Sequence, residues 1–349
     1  MKPLIDEYNR QIHYVRISIT DRCNFRCRYC MPSSGIEWIP HEHIMRYEEF
    51  LRVLRICIAR GVDKVRITGG EPLIRKGVVP FIRCIREMQG LRDLSLTTNG
   101  VMLDTMAGSL KKAGLNRLNI SLDTLDREKF AHITRVDAFE RVITGIRRAF
   151  DAGLSPIKIN VVAIRGFNDD EIPAFAEMTR RSPVEVRFIE LMPMGCATRY
   201  GEYELIGAPE IREKIEERFG TLEPVEYNHG PAKVYRIRGA QGTIGLIGAL
   251  SEHAFCGRCN RIRITANGHL RPCLFSGEEI DLLTPMRQGI SDRELEALHY
   301  LAAGLSNQEI ALALHVSLNT VKTHLKNIYD KLDVHTRKQA SARAKELGV

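Results

Sequence analysis

The strongest constraint on this chain is a regular alternation of short β-rich runs with helical segments. Residues 13–20 (HYVRISIT), 62–68 (VDKVRIT), 91–98 (LRDLSLTT), 115–121 (LNRLNIS), 157–164 (IKINVVAI) and 184–191 (VEVRFIEL) read as strands. Helix-like segments lie between them, the first over 47–60 with Phe50, Leu51, Leu54 and Ile58 at helical spacing. Six such alternations imply a parallel α/β sheet, because parallel neighbours need crossover connections. The sheet can close as a (β/α)8 barrel, stay open as a six-stranded partial barrel, or wind as a Rossmann-like sheet. Polar residues just after the strands favour a barrel type: cysteines after the first, Gly69-Gly70-Glu71-Pro72 after the second, Thr97-Thr98-Asn99-Gly100 after the third, Ser121-Leu122-Asp123 on the fourth.

From about Ala208 the pattern changes to one helix, two short strands (232–238 and 243–249) and a second cysteine-rich stretch, which reads as a smaller α+β lobe. Beyond Pro285 only short helical segments follow, so a boundary falls between Pro285 and Glu296. The expected division is a partial barrel over 1–207, a lobe over 208–289 and an all-α domain over 290–349. With 349 residues and 44% hydrophobic content, dominant disorder is excluded. No apolar run is of membrane-spanning length and the first residues lack a secretory h-region, so a cytoplasmic protein without membrane contact is expected. Net charge is +8, and from Ile290 onward 8 Lys and Arg face 7 Asp and Glu. The excess therefore sits in the first two parts, where a nucleotide accounts for it as well as a nucleic acid does.

Nine cysteines are present, six of them in short spacings that suggest metal or redox chemistry rather than a disulfide framework. Cys23, Cys27 and Cys30 form CxxxCxxC in the loop after the first strand, three thiolates without a nearby fourth. Structural zinc usually takes four ligands, whereas three thiolates on an iron–sulfur cluster leave one iron open. Structural zinc and unrelated buried thiols are the alternatives. Cys256, Cys259 and Cys273 repeat the theme as CxxC-x13-C, with an iron–sulfur cluster preferred over three-cysteine zinc. Arg261 and Arg263 alternate between them, and guanidinium forks suit phosphate and purine acceptors, although a strand face of this kind can simply be solvated. Cys57 and Cys84 fall on apolar helix faces as packing residues, and Cys196 sits in no constellation.

The CxxxCxxC spacing, Tyr29 within it and the Gly-Gly-Glu-Pro turn downstream together resemble the radical S-adenosylmethionine superfamily. The resemblance implies that the open iron binds S-adenosylmethionine and that its reductive cleavage gives a 5'-deoxyadenosyl radical. Both cysteine sets, with the strand motifs between them, resemble the GTP 3',8-cyclase family of molybdenum cofactor biosynthesis over residues 1 to about 290. What this implies is a partial (β/α)6 barrel, two [4Fe-4S] clusters, GTP as substrate and 3',8-cyclo-7,8-dihydro-GTP as product. It also implies an electron donor such as flavodoxin or ferredoxin. Position by position, Tyr29, Gly70, Ser121 and Met192 fall at the expected S-adenosylmethionine contacts. Arg16, Arg66, Thr97, Lys158, Arg261, Ile262 and Arg263 fall at the expected GTP contacts, Arg261 and Arg263 with a catalytic role. One departure is that this family ends in a double-glycine tail, whereas here the sequence runs Glu346-Leu347-Gly348-Val349 with no Gly-Gly after Pro285. The implied consequence falls on turnover more than on cluster assembly or S-adenosylmethionine binding.

The last sixty residues read as four short helices. Ser306 caps one, Ser317 caps the longer LNTVKTHLKNIYDKL, and the pair makes a helix-turn-helix. Leu305-Ser306-Asn307, Glu309-Ile310, Thr320-Val321-Lys322, His324, Asn327-Ile328 and Lys331-Leu332 resemble the LuxR-type DNA-binding domain. That resemblance implies DNA contacts at Asn319, Thr320, Lys322, Thr323 and Lys326, and a homodimer on paired half-sites with the last helix as candidate interface. An α-helical docking module is the alternative for this segment. For the whole chain, the alternative to an enzyme is a regulator whose cyclase-like body senses iron–sulfur status, GTP or S-adenosylmethionine.

Overall fold

The computed structural model describes residues 3–6, 9–193, 204–226, 230–251, 259–274, 277, 279–302 and 304–346. They fall into two compact units, Met1–Trp38 with Leu54–Arg261, and Ile39–Val53 with Ile262–Val349. Cys196 and Cys256 lie outside the described residues, as do the last three positions.

In the first unit the elements run β1 (Tyr14–Ser18), α1 (Tyr47–Ala59, shared with the second unit), β2 (Lys64–Thr68), α2 (Val78–Arg86), β3 (Asp93–Thr98), α3 (Leu103–Lys112), β4 (Arg117–Ser121), α4 (Arg127–Thr134), α5 (Phe139–Asp151), β5 (Ile157–Arg165), α6 (Ile172–Arg181) and β6 (Val184–Glu190). After β7 (Glu204–Leu205) come α7 (Ala208–Phe219), β8 (Glu223–Val225), β9 (Lys233–Arg236) and β10 (Thr243–Ile247). All six expected strands are present, in parallel order β1-β2-β3-β4-β5-β6. β6 then pairs with β10, and the antiparallel strands β9 and β8 follow, so the partial barrel remains open.

Central parallel strands are usually apolar on both faces. Here one face only is apolar: Val15, Ile17, Val65, Ile67, Leu94, Leu96, Leu118, Ile120, Ile159, Val186 and Phe188 are all buried. The crossover helices bury their own stripes, α2 with Phe81, Ile82 and Ile85, α5 with Val142, Ile146 and Ala149. Each fully buried aliphatic side chain contributes about 1.5–3 kcal/mol, which makes this layer the source of the sheet's stability. The alternate positions, on the inner face, are largely polar. One expectation fails on burial: Cys57 is buried as a packing residue, but Cys84 is exposed, on the solvent side of α2.

The second unit contains the antiparallel strands β11 (Arg261–Ile264, all but its first residue), β12 (His269–Arg271) and β13 (Ile280–Asp281), followed by α8 (Leu283–Arg287). Arg287 ties this end to the first turn of α1 and the segment before it, donating to Glu49 and to the carbonyls of Glu42 and Ile44. Then come α9 (Asp292–Ala302), α10 (Asn307–Leu314), α11 (Leu318–Leu332) and α12 (Arg337–Glu346), the four helices expected. Leu298, Leu301, Ile310, Leu314, Val321, Leu325 and Ile328 form their core. The Glu294 carboxylate, 3% exposed, accepts from Lys331 Nζ at 2.7 Å and joins α9 to α11.

Ser306 and Glu309 make a reciprocal capping box at the start of α10. Ser306→Ala should destabilise α10 by about 1 kcal/mol, and Ser306→Gly by only about a few tenths. Hydrogen exchange of the α10 amides checks this; equal protection in Ser306→Ala and the native chain would contradict it.

Candidate active site and nucleic-acid interface

The loop after β1 carries Cys23, Cys27 and Cys30 and is pinned along its length. Backbone N–H groups of Arg26 and Arg28 donate to the carbonyls of Thr134 and Ile133 at the end of α4. Arg135, in the left-handed region at φ 59°, sends its guanidinium back to the carbonyls of Arg26 (2.6 Å) and Met31 (3.0 Å). Phe25 packs edge-on against Phe130, ring centroids 5.8 Å apart. A loop so held presents its thiols in a fixed arrangement.

The thiols stand near enough to act on one another. Burial, the Asp123 carboxylate and the thiols of Cys30 and Cys23 push the Cys27 thiol well up. Burial also raises Cys23, against the N–H of Phe25, which donates to its sulfur at 3.4 Å. Among the described residues no three His, Cys, Asp or Glu side chains are gathered as closely as a single metal ion would hold them. A cationic iron–sulfur centre fits these residues: metal binding deprotonates thiols and offsets the mutual repulsion that otherwise keeps them protonated.

The second loop closes on the first. Gly70 N–H donates to Thr20 O at 2.7 Å and Glu71 N–H to Arg22 O at 2.8 Å. A Cβ at Gly70 would lie 2.1 Å from Arg22 O, so only glycine allows this approach. Glu71, 1% exposed, accepts from Leu73 N–H (3.0 Å), Thr98 Oγ1 (2.8 Å) and Asn99 N–H (2.7 Å). Asn99 in turn donates to Asn24 Oδ1 at 2.8 Å. One buried carboxylate thus links the loops after β2 and β3, and Asn99 carries the link to the cysteine loop. Tyr29, half-buried, donates from its hydroxyl to Asp123 Oδ2 at 2.7 Å, and Asp123 also accepts from Val162 N–H. Ser121 ends β4 and Met192 follows β6, both half-buried.

Of the expected GTP contacts, the structure sets Arg16, Arg66, Thr97 and Lys158 on the inner face of the sheet. Arg16 is the register partner of Arg66, Arg66 of Ser95, Thr97 of Asn119, Asn119 of Lys158, and Lys158 of Glu185. Burial, helped by the charge of Arg261, lowers the Arg16 guanidinium. Burial lowers Arg66 to about 9, with Arg16, Arg187 and Arg117 adding to the effect. Among the described residues neither guanidinium has a carboxylate partner. Glu185 pairs with other cations: it accepts from Lys158 Nζ at 2.5 Å and from Arg187 Nε, and both cations hold its carboxyl below its ordinary value although burial opposes them. Thr97 Oγ1 is buried without a hydrogen-bond partner among the described residues, as is Asn119 Oδ1. Arg261, 9% exposed, lies over the Tyr14 ring in the first unit, with Cys259 two residues before it. Ile262 and Arg263 on β11 are half-buried, and Cys273 is exposed, in the second unit.

Sequence reasoning missed Tyr14, Asn119, Glu185 and Arg187 on this face, and the Asp123 partner of Tyr29. A signal was available for two of them: Tyr14 lies two residues from Arg16 on β1, and Asn119 two residues from Ser121 on β4, whereas Glu185 and Arg187 come to this face through pairings that no local pattern sets.

On α11, Asn319, Lys322, Thr323 and Lys326 form one exposed stripe at spacings of three and four, opposite buried Val321, Leu325 and Ile328. Thr320 is half-buried and its hydroxyl bonds to the Ser317 cap at 2.8 Å. The Thr323 hydroxyl donates to Asn319 O.

Burial raises Glu71 to about 7 and Asp123 to about 6, above the ordinary carboxylate range. The folded state therefore holds protons that the unfolded chain has lost, and their contribution to stability is full below about 4 and is lost as pH rises through about 6 to 7. Glu71→Gln should flatten the upper part of that fall. Melting temperatures of the anaerobic protein between pH 5 and 8 check it; an unchanged slope would contradict the buried-carboxylate account.

Residues 17–179 match the Radical SAM superfamily, 184–312 match Molybdenum Cofactor Synthesis C, and 288–344 match bacterial regulatory proteins of the luxR family. The GTP 3',8-cyclase of Pelotomaculum thermopropionicum is 49% identical over 295 residues, covering 84% of this chain and 90% of that protein. The GTP 3',8-cyclase of Moorella thermoacetica is 48% identical over 306 residues, covering 87% and 94%. Among solved structures, Streptococcus suis SuiB bound to S-adenosylmethionine shares the fold with a TM-score of 0.57 at 17% identity, over 77% of this chain and 63% of that one. The chain belongs to the GTP 3',8-cyclase family of radical S-adenosylmethionine proteins, and it carries in addition a LuxR-type helix-turn-helix domain.

Proposed function

We propose that this chain converts GTP to 3',8-cyclo-7,8-dihydro-GTP in molybdenum cofactor biosynthesis. The observation that carries the proposal is the row of buried cations on the inner face of β1–β6, below a rigid three-cysteine loop. Cys23, Cys27 and Cys30 hold one [4Fe-4S] cluster, and Tyr29, Gly70, Ser121 and Met192 hold S-adenosylmethionine beside it. Bound there and reduced by a flavodoxin or ferredoxin, these groups supply a 5'-deoxyadenosyl radical. Cys256, Cys259 and Cys273 hold a second [4Fe-4S] cluster.

The remaining work belongs to the chain's own side chains. Arg16, Arg66 and Lys158 neutralise the triphosphate, and their burial makes each contact stronger than it would be in water. Thr97 offers a hydroxyl that folding alone leaves unsatisfied. Arg261, Ile262 and Arg263 complete the nucleotide set, with both arginines acting on the reacting substrate. Holding the ribose and base still in a pocket that excludes water favours one ring closure over side reactions. The chain divides into 1–207, 208–289 and 290–349, the last boundary supported by a LuxR-type match that begins at residue 288. That last domain binds DNA through the α11 stripe, as a homodimer through α12, in a protein that works in the cytoplasm.

Cys27→Ser should reduce 5'-deoxyadenosine formation from S-adenosylmethionine and a strong reductant to the buffer background. Cleavage at the native rate would overturn the assignment of the first cluster. The double variant Lys322→Ala, Lys326→Ala should weaken duplex DNA binding and lower the slope of log affinity against log salt by about 2. Fluorescence anisotropy over a salt series reads both quantities; unchanged affinity and slope would assign the helices to protein docking instead.

A further inference from the structure

Tyr14 is not among the expected GTP contacts, yet two guanidiniums lie against its ring. The Arg66 guanidinium carbon lies 5.4 Å from its ring centroid and that of Arg261 lies 5.9 Å away. Arg16 lies two residues along the same strand face and feels the charge of Arg261. The Tyr14 hydroxyl is itself buried and has no hydrogen-bond partner among the described residues.

Buried hydroxyls are almost always satisfied, so one left over in a binding face points to a partner that folding does not provide. Arginines cannot be that partner for the phenolic proton, because a guanidinium carries donors only. What the site lacks is an acceptor, and in cationic surroundings the favoured acceptor is an electron-rich oxygen. The ring has a separate role. Stacked against Arg66 and Arg261, it offers a quadrupole to two cations that otherwise repel each other.

We propose that Tyr14 is a further nucleotide-binding residue: its ring positions Arg66 and Arg261, and its hydroxyl donates a hydrogen bond to an oxygen of the bound guanine nucleotide. This rests on the cyclase reading of the same site and adds a residue to it. A hydroxyl that meets only substrate is unsatisfied in the free protein, so its removal harms binding and spares folding.

The test compares the native chain with Tyr14→Phe, which keeps the ring, and Tyr14→Leu, which removes it. Both are reconstituted anaerobically and left unreduced, and affinities for GTP, GMP and guanosine are measured by equilibrium dialysis beside melting temperatures without nucleotide. Tyr14→Phe should bind GTP about tenfold or more weakly, with an unchanged or raised melting temperature. Tyr14→Leu should bind more weakly still. A Tyr14→Phe penalty that disappears with guanosine places the hydroxyl at the phosphates, and one that persists places it at the ribose or base; either supports the proposal. Equal affinities of the native chain and Tyr14→Phe for all three ligands overturn it, as does a lowered melting temperature with unchanged binding, which marks a purely structural hydroxyl. A native chain that bound none of the three would overturn the cyclase reading and this proposal together.

Discussion

Burying positive charge on the inner face of a parallel sheet is the constraint from which the rest of the first unit follows. Arg66, Lys158, Arg187 and Arg261 are each at most 9% exposed, and Arg16 is lowered by burial beside them. Glu185 is the carboxylate on this face that meets two of these cations directly. Buried charge is costly to a fold even where it is paired, so the opposite face of the same strands must supply the stability, and it is largely apolar. The division of labour is written into alternate positions of every strand. On the proposed function, the triphosphate of GTP supplies counter-charge to Arg16 and Arg66 on this face.

Reactive chemistry also needs the groups at the strand ends held still. Three loops achieve this through each other: the cysteine loop against α4 through Arg135, the Gly69-Gly70 turn against Thr20 and Arg22, and the loop after β3 against both through Glu71 and Asn99. Rigid loops on a rigid sheet place cofactor and substrate groups more precisely than mobile ones could. The helix-turn-helix domain depends on none of this. Its core is self-contained, and its caps at Ser306 and Ser317 are local to each helix.

How much of this was legible in the sequence follows from the range of each interaction. The six parallel strands, the four C-terminal helices and both serine caps rest on short-range periodicity and were readable. So were the cysteine loop and the glycine turn, whose residue types are dictated by local chemistry. Whether the barrel closes was not, because β6 pairs with β10 more than fifty residues on. Register escaped for the same reason: nothing local sets Arg16 beside Arg66 or Lys158 against Glu185. Tyr14 looked like an ordinary aromatic strand residue until the arginines around it were placed. Cys84 shows the converse error, an apolar neighbourhood along the chain that does not survive as burial in space.

On the proposed function, a buried cationic sheet face and a three-cysteine loop act on one GTP molecule. The most direct test is anaerobic reconstitution with iron and sulfide, addition of GTP, S-adenosylmethionine and a strong reductant, and quantification of both products by mass spectrometry. 5'-Deoxyadenosine and 3',8-cyclo-7,8-dihydro-GTP should form together. Formation of 5'-deoxyadenosine without any cyclised nucleotide would contradict that function.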